Sequence, residues 1–243
     1  MNKVTKKELE NWTPINSKVL IKLDRNNDEI KLSTGDKLYL DTSYGRERHA
    51  PVTGTVTAVP RSLNCRKNMD WETPMELAPG WRVWWNYVDT LNALDNESTA
   101  IDEDGNIHVM LPYQSCVVAK DLSGNIVTLN GYMLCSPVED EKISSKLIHI
   151  PDHIRKNKSA KFAILRHQGT KNGWYRRPEY HDHRESVPNG SVIVFSKHSD
   201  IPLEYDLHSE FEGKETLYKM QWPDILAVIP DYNHESYKGQ KGY

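Results

Sequence analysis

The residues best suited to metal chemistry are the histidines of EYHDHRE (179–185). His181 and His183 alternate, so on a strand both would point to one face and could bind zinc together with a third ligand. His149 and His153 lie four residues apart, but no further ligand stands at a matching spacing. We therefore interpret these histidines as surface residues and expect no metal site.

The cysteines do not suggest metal or redox chemistry either. Cys65, Cys116 and Cys135 are widely spaced and form no C-x-x-C pair, and such a sparse, odd set is typical of a reducing compartment. The N-terminus MNKVTKKELENW lacks the apolar core of a signal peptide, and no apolar run reaches the length of a membrane span. We expect a soluble protein of the cytoplasm that does not bind membranes.

Known signatures of enzymes are missing from the sequence. It contains no G-x-S-x-G, no P-loop, no H-E-x-x-H and no G-x-G-x-x-G after a strand. Acidic clusters such as VEDE and DNESTAIDEDG look like solvated turns, and nothing selects two carboxylates for hydrolysis. The 31 Lys and Arg residues against 34 Asp and Glu leave no basic excess of the kind that general nucleic-acid binders show. We expect no enzymatic activity, no cofactor and no nucleic-acid partner.

The elements that would position any functional residue are short β-prone runs broken by Gly, Pro, Asn and Asp, which is the pattern of barrels and sandwiches. The ten runs span residues 18–23, 53–60, 81–87, 106–112, 115–121, 131–137, 160–167, 191–196, 215–220 and 224–230. Only TKKELENW predicts a helix, because Thr5 and Glu8 have capping-box spacing and Leu9 and Trp12 could share one face. Asp104-Gly105 and Gly124-Asn125 predict turns.

Four landmarks recur along the chain at a nearly constant offset. They pair Val19 with Tyr132, Gly54 with Ala160, Gly80 with Gly190 and Tyr113 with Trp222, at offsets of 113, 106, 110 and 109 residues. We interpret this as the internal duplication of an all-β unit of about 100 residues. A single β-sandwich with evenly spaced turns is the alternative.

The second copy resembles the GroES-type co-chaperonins, the ten-kilodalton chaperonin family. VPNGSVIVF (187–195) is similar to the family's V-x-x-G-D-x-V strand, and LYKMQWPDILAVI (217–229) is similar to its closing segment, the most specific match. SKVLIKLD, VTGTVTAVP and YQSCVVAKD extend a looser resemblance over the first copy, so that it covers residues 17–230. The family's Gly-Asp is replaced by Gly80-Trp81 and Gly190-Ser191, which indicates a divergent relative.

The resemblance implies an all-β fold made of two tandem GroES-like partial β-barrels with a short N-terminal helix. The expected organisation is an N-terminal arm at 1–15, barrels at 16–122 and 128–232, and a tail at 233–243. It also implies a co-chaperonin that caps a GroEL-type chaperonin ring as a homo-oligomer and assists folding. ATP would be bound by the partner.

In this family the contact is a mobile loop that inserts a short apolar segment into the chaperonin. The resemblance gives that role to Leu38, Tyr39 and Leu40 in the first copy and to Leu147, Ile148, His149 and Ile150 in the second. The alternation of Leu38 and Leu40 would also fit a half-buried edge strand. The repeat register favours the mobile loop, because it places both segments between the same pair of strands.

The resemblance also implies a roof hairpin in each copy. Its candidate residues are Trp71 in the first copy and Trp174, Tyr175, Arg176 and Arg177 in the second. Interleaved aromatic and basic side chains can stack on nucleic-acid bases, but without a basic excess a solvated loop is favoured.

The alternative function is that of a duplicated β-barrel structural or interaction module, for example a phage virion protein or a carbohydrate-contacting protein. The strand WRVWWNY would then supply a contact face instead of packing in a core or a subunit interface.

Overall fold

A computed structural model of the chain describes residues 2–24, 29–31, 37–39, 50–63, 73–96, 98–139, 158–170, 187–196, 201–202 and 217–229. These residues form mostly antiparallel β-sheets with few helices, which confirms the predicted all-β class. The contacts of the chain divide between two compact units, here unit 1 and unit 2, whose break in sequence falls between Asn130 and Gly131.

The predicted N-terminal helix is present as α1 (Lys6–Glu10). Its capping box is formed, because the Glu8 amide donates to the Thr5 hydroxyl at 3.2 Å and the Thr5 amide donates to the Glu8 carboxylate at 2.7 Å. Leu9 and Trp12 pack against one small apolar cluster on the sheet, as their spacing predicted. The helix is therefore held at its start by hydrogen bonds and along one face by burial.

Unit 1 is built on an eight-stranded sheet and a separate hairpin. Its strands are β1 (Asn2–Lys3), β2 (Lys18–Leu23), β3 (Glu29–Lys31), β4 (Lys37–Tyr39), β5 (Thr53–Ala58), β6 (Arg82–Trp85), β7 (Thr99–Ile101), β8 (Ile107–Pro112), β9 (Cys116–Lys120) and β10 (Ile126–Thr128). The order in the large sheet is β1-β7-β8-β2-β5-β6-β9-β10, and β3 pairs with β4 alone. All neighbours are antiparallel except β1 and β7.

Unit 2 is built on a six-stranded antiparallel sheet. Its strands are β11 (Tyr132–Glu139), β12 (Lys158–Gln168), β13 (Val192–Phe195), β14 (Ile201–Pro202), β15 (Tyr218–Gln221) and β16 (Ile225–Ile229). The order is β14-β15-β11-β12-β13-β16.

Five strands have the same order in both units, β8-β2-β5-β6-β9 in unit 1 and β15-β11-β12-β13-β16 in unit 2. A single-turn 3-10 helix precedes the last strand each time, at Tyr113–Ser115 and at Trp222–Asp224. The register also breaks at matching places. The breaks fall at Leu20/Ile21 and Trp84/Trp85 in unit 1 and at Leu134/Cys135 and Val194/Phe195 in unit 2. Because a β-bulge is a local, position-specific feature, the two units repeat one topology, as the predicted duplication requires.

The two turn glycines are equivalent, as the sequence predicted. Gly80 and Gly190 have φ of +87° and +94°, which glycine adopts without strain. The Gly80 amide donates to the Val56 carbonyl at 2.8 Å, and the Gly190 amide donates to the Leu165 carbonyl at 2.6 Å. The same turn therefore leads into β6 in unit 1 and into β13 in unit 2, which are the third strands of the repeat in chain order.

Two of the predicted landmark pairs are shifted. The strand registers align Val19 with Met133, not with Tyr132, and Gly54 with Ala163, not with Ala160. Gly54 was paired with the wrong residue because β12 begins five residues before Ala163, whereas β5 begins one residue before Gly54.

One helix was missed, α2 (Tyr87–Asp95), which follows directly on β6. The predicted run 81–87 is a strand only over Arg82–Trp85. The Trp85 indole donates to the Thr90 hydroxyl at 2.7 Å, and Thr90 donates to the Pro51 carbonyl at 2.6 Å. The helix is thus tied to the end of the strand and to the segment that enters β5.

Candidate functional site

Both units interrupt their sheet at the same place, between the first and second strands of the repeat. The first inserted segment (24–52) joins β2 to β5, and the second inserted segment (140–157) joins β11 to β12. These segments contain all the predicted chaperonin-contacting residues. The shared topology therefore gives the two sets equivalent positions in the chain, although their sequences differ.

Part of the first inserted segment is a β-hairpin. Leu38 and Tyr39 lie in β4, where they pair with Ile30 and Glu29 of β3. This hairpin is not part of the eight-stranded sheet, so Leu38 does not belong to an edge strand of that sheet. Leu40 lies outside the described residues, and the role of all three as chaperonin contacts stays a prediction.

The other predicted site residues lie outside the described residues. They are Leu147, Ile148, His149 and Ile150 in the second inserted segment, and Trp71, Trp174, Tyr175, Arg176 and Arg177 of the predicted roof loops. Their roles also stay predictions. The histidines considered as zinc ligands also lie outside the described residues. They are His149, His153, His181 and His183. Among the residues that the structure does place, no cluster of three or more His, Cys, Asp or Glu could hold a metal ion.

The base of the first inserted segment is closed by a polar network. The Asp24 amide donates to the Thr53 carbonyl at 3.1 Å, so the two ends of the segment are bridged by backbone. The Asp24 carboxylate accepts from Thr53 Oγ1 at 3.1 Å and from Arg82 Nη2 at 3.0 Å. The Arg82 guanidinium also lies 5.3 Å from the centre of the Trp84 ring. Arg82 therefore connects the third strand of the repeat to both ends of the inserted segment.

The base of the second inserted segment is apolar. The strand registers align Asp24, Thr53 and Arg82 of unit 1 with Val138, Phe162 and Val192 of unit 2. These three residues form one buried cluster. The two units therefore share the backbone arrangement at this position, but the first segment is closed by charge pairing and the second by burial.

We expect that Arg82→Met loosens the base of the first inserted segment. Methionine keeps most of the aliphatic stem but loses the hydrogen bonds to Asp24 and Thr53. Because the ion pair is partly exposed, first cleavage by trypsin within 25–50 should quicken by at most about fivefold. The effect should shrink in high salt, which screens the charges. Arg61→Met, a change at an exposed arginine of the same unit, is the control, and an unchanged rate in Arg82→Met at low salt would contradict this role.

A second polar network joins Glu76, which follows the predicted roof loop of the first copy, to Tyr113 and to Asn130 at the end of unit 1. The Tyr113 hydroxyl donates to the Glu76 carboxylate at 2.8 Å, and the Asn130 amide donates to the same oxygen at 2.9 Å. The Asn130 side-chain nitrogen donates to the carbonyls of Tyr113 and Cys116 at 2.8 and 2.9 Å. Burial, and then the charge of Glu76, raises the pKa of the Tyr113 hydroxyl, which keeps it a donor.

The tryptophan-rich strand is not an exposed contact face. Trp84 and Trp85 are 1% and 3% exposed. Trp85 packs in the main core of unit 1, together with Val83 and Leu111. The packing explanation for this strand therefore holds for these two residues, and they offer no surface to a carbohydrate.

A buried acid–imidazole pair was missed at the sequence level. His108 Nε2 lies 3.2 Å from Asp102 Oδ2, and both side chains are almost fully buried. Asp102 begins the turn DEDGN, in which the Gly105 amide donates to its carbonyl, and DLSGN at 121–125 forms the same turn. The turn was predicted from Asp104-Gly105, but the partner histidine follows from the antiparallel pairing of β8 with β7, which a local sequence pattern does not contain.

The two cysteines that the structure describes are buried and unreactive in character. Cys116 and Cys135 are both free thiols. Burial raises the pKa of the Cys135 thiol to about 12 and that of Cys116 still further, after which Asp89 adds a smaller effect at Cys116. Since the thiolate is the nucleophile, neither residue is suited to nucleophilic or redox chemistry.

In the part of the chain that the structure describes, no helix is both long enough and apolar enough to cross a membrane. No protein-family model matches the chain, and comparison with curated proteins finds no match.

Proposed function

We propose that this protein is a co-chaperonin, which caps a GroEL-type chaperonin ring through its inserted segments and assists ATP-dependent folding by that partner. The observation that carries the proposal is the repeated interruption of the sheet between its first and second strands. The resemblance places the chaperonin-binding loop between those strands. In each unit the segment contains a short apolar stretch between polar flanks.

Capping of this kind depends on coupled folding and binding. A loop that orders on contact loses conformational entropy, so each contact stays weak enough to be released. Several loops held on one assembly convert weak contacts into tight capping through effective concentration. We expect a homo-oligomer for this reason. Two units per chain do not divide a sevenfold ring evenly, so we expect the inserted segments of both units to share the contact sites of the ring.

The alternative is a structural or interaction module that keeps the duplicated fold without capping. The burial of Trp84 and Trp85 removes the contact face that this alternative would have used on that strand. No observation on the described residues indicates another contact surface for this alternative. The proposed partner is therefore a protein ring, with no cofactor bound by this chain.

The test is protection of the inserted segments by a GroEL-type chaperonin. Limited proteolysis of the free protein should cut first within 25–50 and 139–158, and chaperonin with nucleotide should protect both regions. Cleavage that is unchanged at both regions would contradict capping and would favour the structural module. The native mass of the assembly should exceed that of one chain, and a monomer at working concentration would weigh against the ring.

Loop variants identify the contact residues. Leu38→Ser with Leu40→Ser, and Leu147→Ser with Ile148→Ser, should each reduce co-sedimentation with the chaperonin by about tenfold or more, because the loss is multiplied over several loops. Leu122→Ser is the matched control, since Leu122 is 78% exposed in a turn outside both segments. A loss in only one of the two double variants would assign the contact to one unit.

A further inference from the structure

Unit 1 carries a cleft of about 270 Å³ between α1 and the sheet, lined mainly by residues with polar or charged side chains. Its floor presents Lys22 from β2, Thr55 and Thr57 from β5, and His108 from β8. Lys22 pairs in register with Thr55 on one side and with His108 on the other, so these groups are direct neighbours. The cleft therefore gathers one ammonium group, two hydroxyls and one imidazole on three adjacent strands.

The imidazole links a buried carboxylate to a hydroxyl of the floor. The Asp102 carboxylate is acceptor only, so His108 Nε2 at 3.2 Å must carry a proton and donate to it. His108 Nδ1 lies 3.4 Å from Thr57 Oγ1. In the neutral imidazole Nδ1 is an acceptor, and the Thr57 hydroxyl donates to it. In the imidazolium, Nδ1 becomes a donor and no longer accepts a hydrogen bond from Thr57. The Thr57 hydroxyl group can then rotate and donate its hydrogen bond into the cleft.

The acidic groups around the cleft are mostly compensated. Asp102 accepts from the amides of Asp104 and Asn106, from the Asn106 side chain and from His108. Asp104 forms an ion pair with Lys6 of α1. Among the described residues that line the cleft, Glu10, exposed on α1 at the rim, is the acidic group without a hydrogen bond or ion pair, and Asp102 keeps its negative charge while His108 is neutral.

The positive charge on the floor is not compensated in the same way. Among the described residues, no carboxylate lies within ion-pair distance of Lys22, and no group bonds to the Thr55 hydroxyl. An ammonium beside two hydroxyl donors is the arrangement that binds a small oxyanion, since each group supplies a hydrogen bond to one oxygen.

From these neighbours we infer that the cleft binds a small oxyanion, of the sulfate, phosphate or carboxylate class, on Lys22, Thr55 and Thr57, and that binding is coupled to protonation of His108. Neither part depends on the proposed function. Protonation neutralises the Asp102–His108 pair and frees the Thr57 hydroxyl as a third donor. An anion therefore favours the protonated imidazole, and by linkage the protonated imidazole favours the anion.

The site belongs to unit 1 alone. The registers align Lys22, Thr55, Thr57 and His108 with Ser136, Ile164, Arg166 and Leu217 of unit 2. Isoleucine and leucine replace one hydroxyl and the imidazole, and the Arg166 guanidinium already donates to the Ser136 hydroxyl at 2.8 Å. The floor that binds the anion in unit 1 is therefore closed or apolar in unit 2.

The test is a titration of the full chain with sodium sulfate. Binding is monitored through the backbone amide resonances of β2, β5 and β8 in NMR spectra. Sulfate keeps its charge near neutral pH, so any pH dependence reports on the protein. Sodium chloride at equal ionic strength is the reference. We expect saturable shifts at these strands, with an affinity severalfold higher at pH of about 5.5 than at about 8.

Three variants in the cleft and one control separate the contributions. Lys22→Met and Thr57→Val should each weaken sulfate binding, by about tenfold for the lysine. Glu10→Gln should strengthen it, because the rim charge that repels the anion is lost. Lys18→Met, on the same strand but outside the cleft, should leave the affinity unchanged.

Absence of saturable shifts in the natural protein, or equal affinity in Lys22→Met, would overturn the site. Equal affinity at both pH values would overturn the role given to His108.

Discussion

The Gly54→Ala variant is expected to lose roughly 1–3 kcal/mol of unfolding free energy, the usual cost of overpacking a tight core position. A Cβ at this position would lie 2.4 Å from the Lys22 carbonyl oxygen and 2.8 Å from Ile21 Cγ2. The nearer atom belongs to the backbone of β2 and cannot move as a flexible side chain would. Either β2 and β5 separate, or the ladder between them loses hydrogen bonds. Thermal and urea unfolding followed by circular dichroism would measure the loss.

Unit 2 supplies the matched control for this variant. Ala163 occupies the equivalent register position and is fully buried, so that sheet accommodates a methyl group where unit 1 has none. Ala163→Gly should cost only about 0.5–1 kcal/mol, mainly through backbone entropy. If Gly54→Ala were no more destabilising than Ala163→Gly, the close approach of β2 to Gly54 would be wrong.

The second large effect is expected for Asp102→Ala. The change leaves two turn amides and the buried His108 imidazole without their acceptor, and it should cost about 2–4 kcal/mol. Asp121→Ala is its natural control. Asp121 accepts from Ser123 and Asn125 in the same turn geometry but is accessible to solvent, so water replaces the lost acceptor and the loss should be much smaller. Equal losses in the two variants would contradict the importance of burial at Asp102.

Asp102 also gives this prediction a pH dependence. Burial raises the pKa of Asp102, but hydrogen bonds from Asn106 and His108 outweigh burial and hold it below the usual range. Its folded pKa is therefore lower than its unfolded pKa of about 3.9. The contribution to stability is complete above the unfolded pKa and is lost as the pH falls toward the folded one. Asp102→Asn, which does not titrate, should lack this part of the acid sensitivity of the natural protein.

The sequence was informative where side-chain periodicity carries the signal. All ten β-prone runs contain strands, and β2 was predicted to the residue because KVLIKL is bounded by turn residues. The helix α2 was missed because it follows tryptophans that are typical of strands. Its N-cap residue, Asn86, forms no side-chain capping hydrogen bond. Strands such as β7 and β10 have three residues each and are stabilised by their neighbours, which a local pattern cannot reveal.

The candidate sites were harder to predict because they depend on register. Arg82 and Asp24 are 58 residues apart, and their contact requires the pairing of β5 with β6. The landmark offsets indicated the repeated topology, but they paired Gly54 with a residue three positions from its register equivalent. The reason is that β5 and β12 differ in length and begin at different distances from that position. The cleft under α1 joins residues from three strands and a helix, and no spacing in the sequence brings them together.

Strand β10 determines where the two units can be separated by cloning. It pairs with β9 along Ile126–Thr128, and Asn130 just beyond it bonds the carbonyls of Tyr113 and Cys116. A fragment that stops at residue 122 would strip unit 1 of an outer strand and expose the backbone of β9, which invites aggregation. A fragment that extends through Asn130 keeps both. The residues between the repeats are therefore part of the first unit's own structure, and a soluble half-protein has to include them.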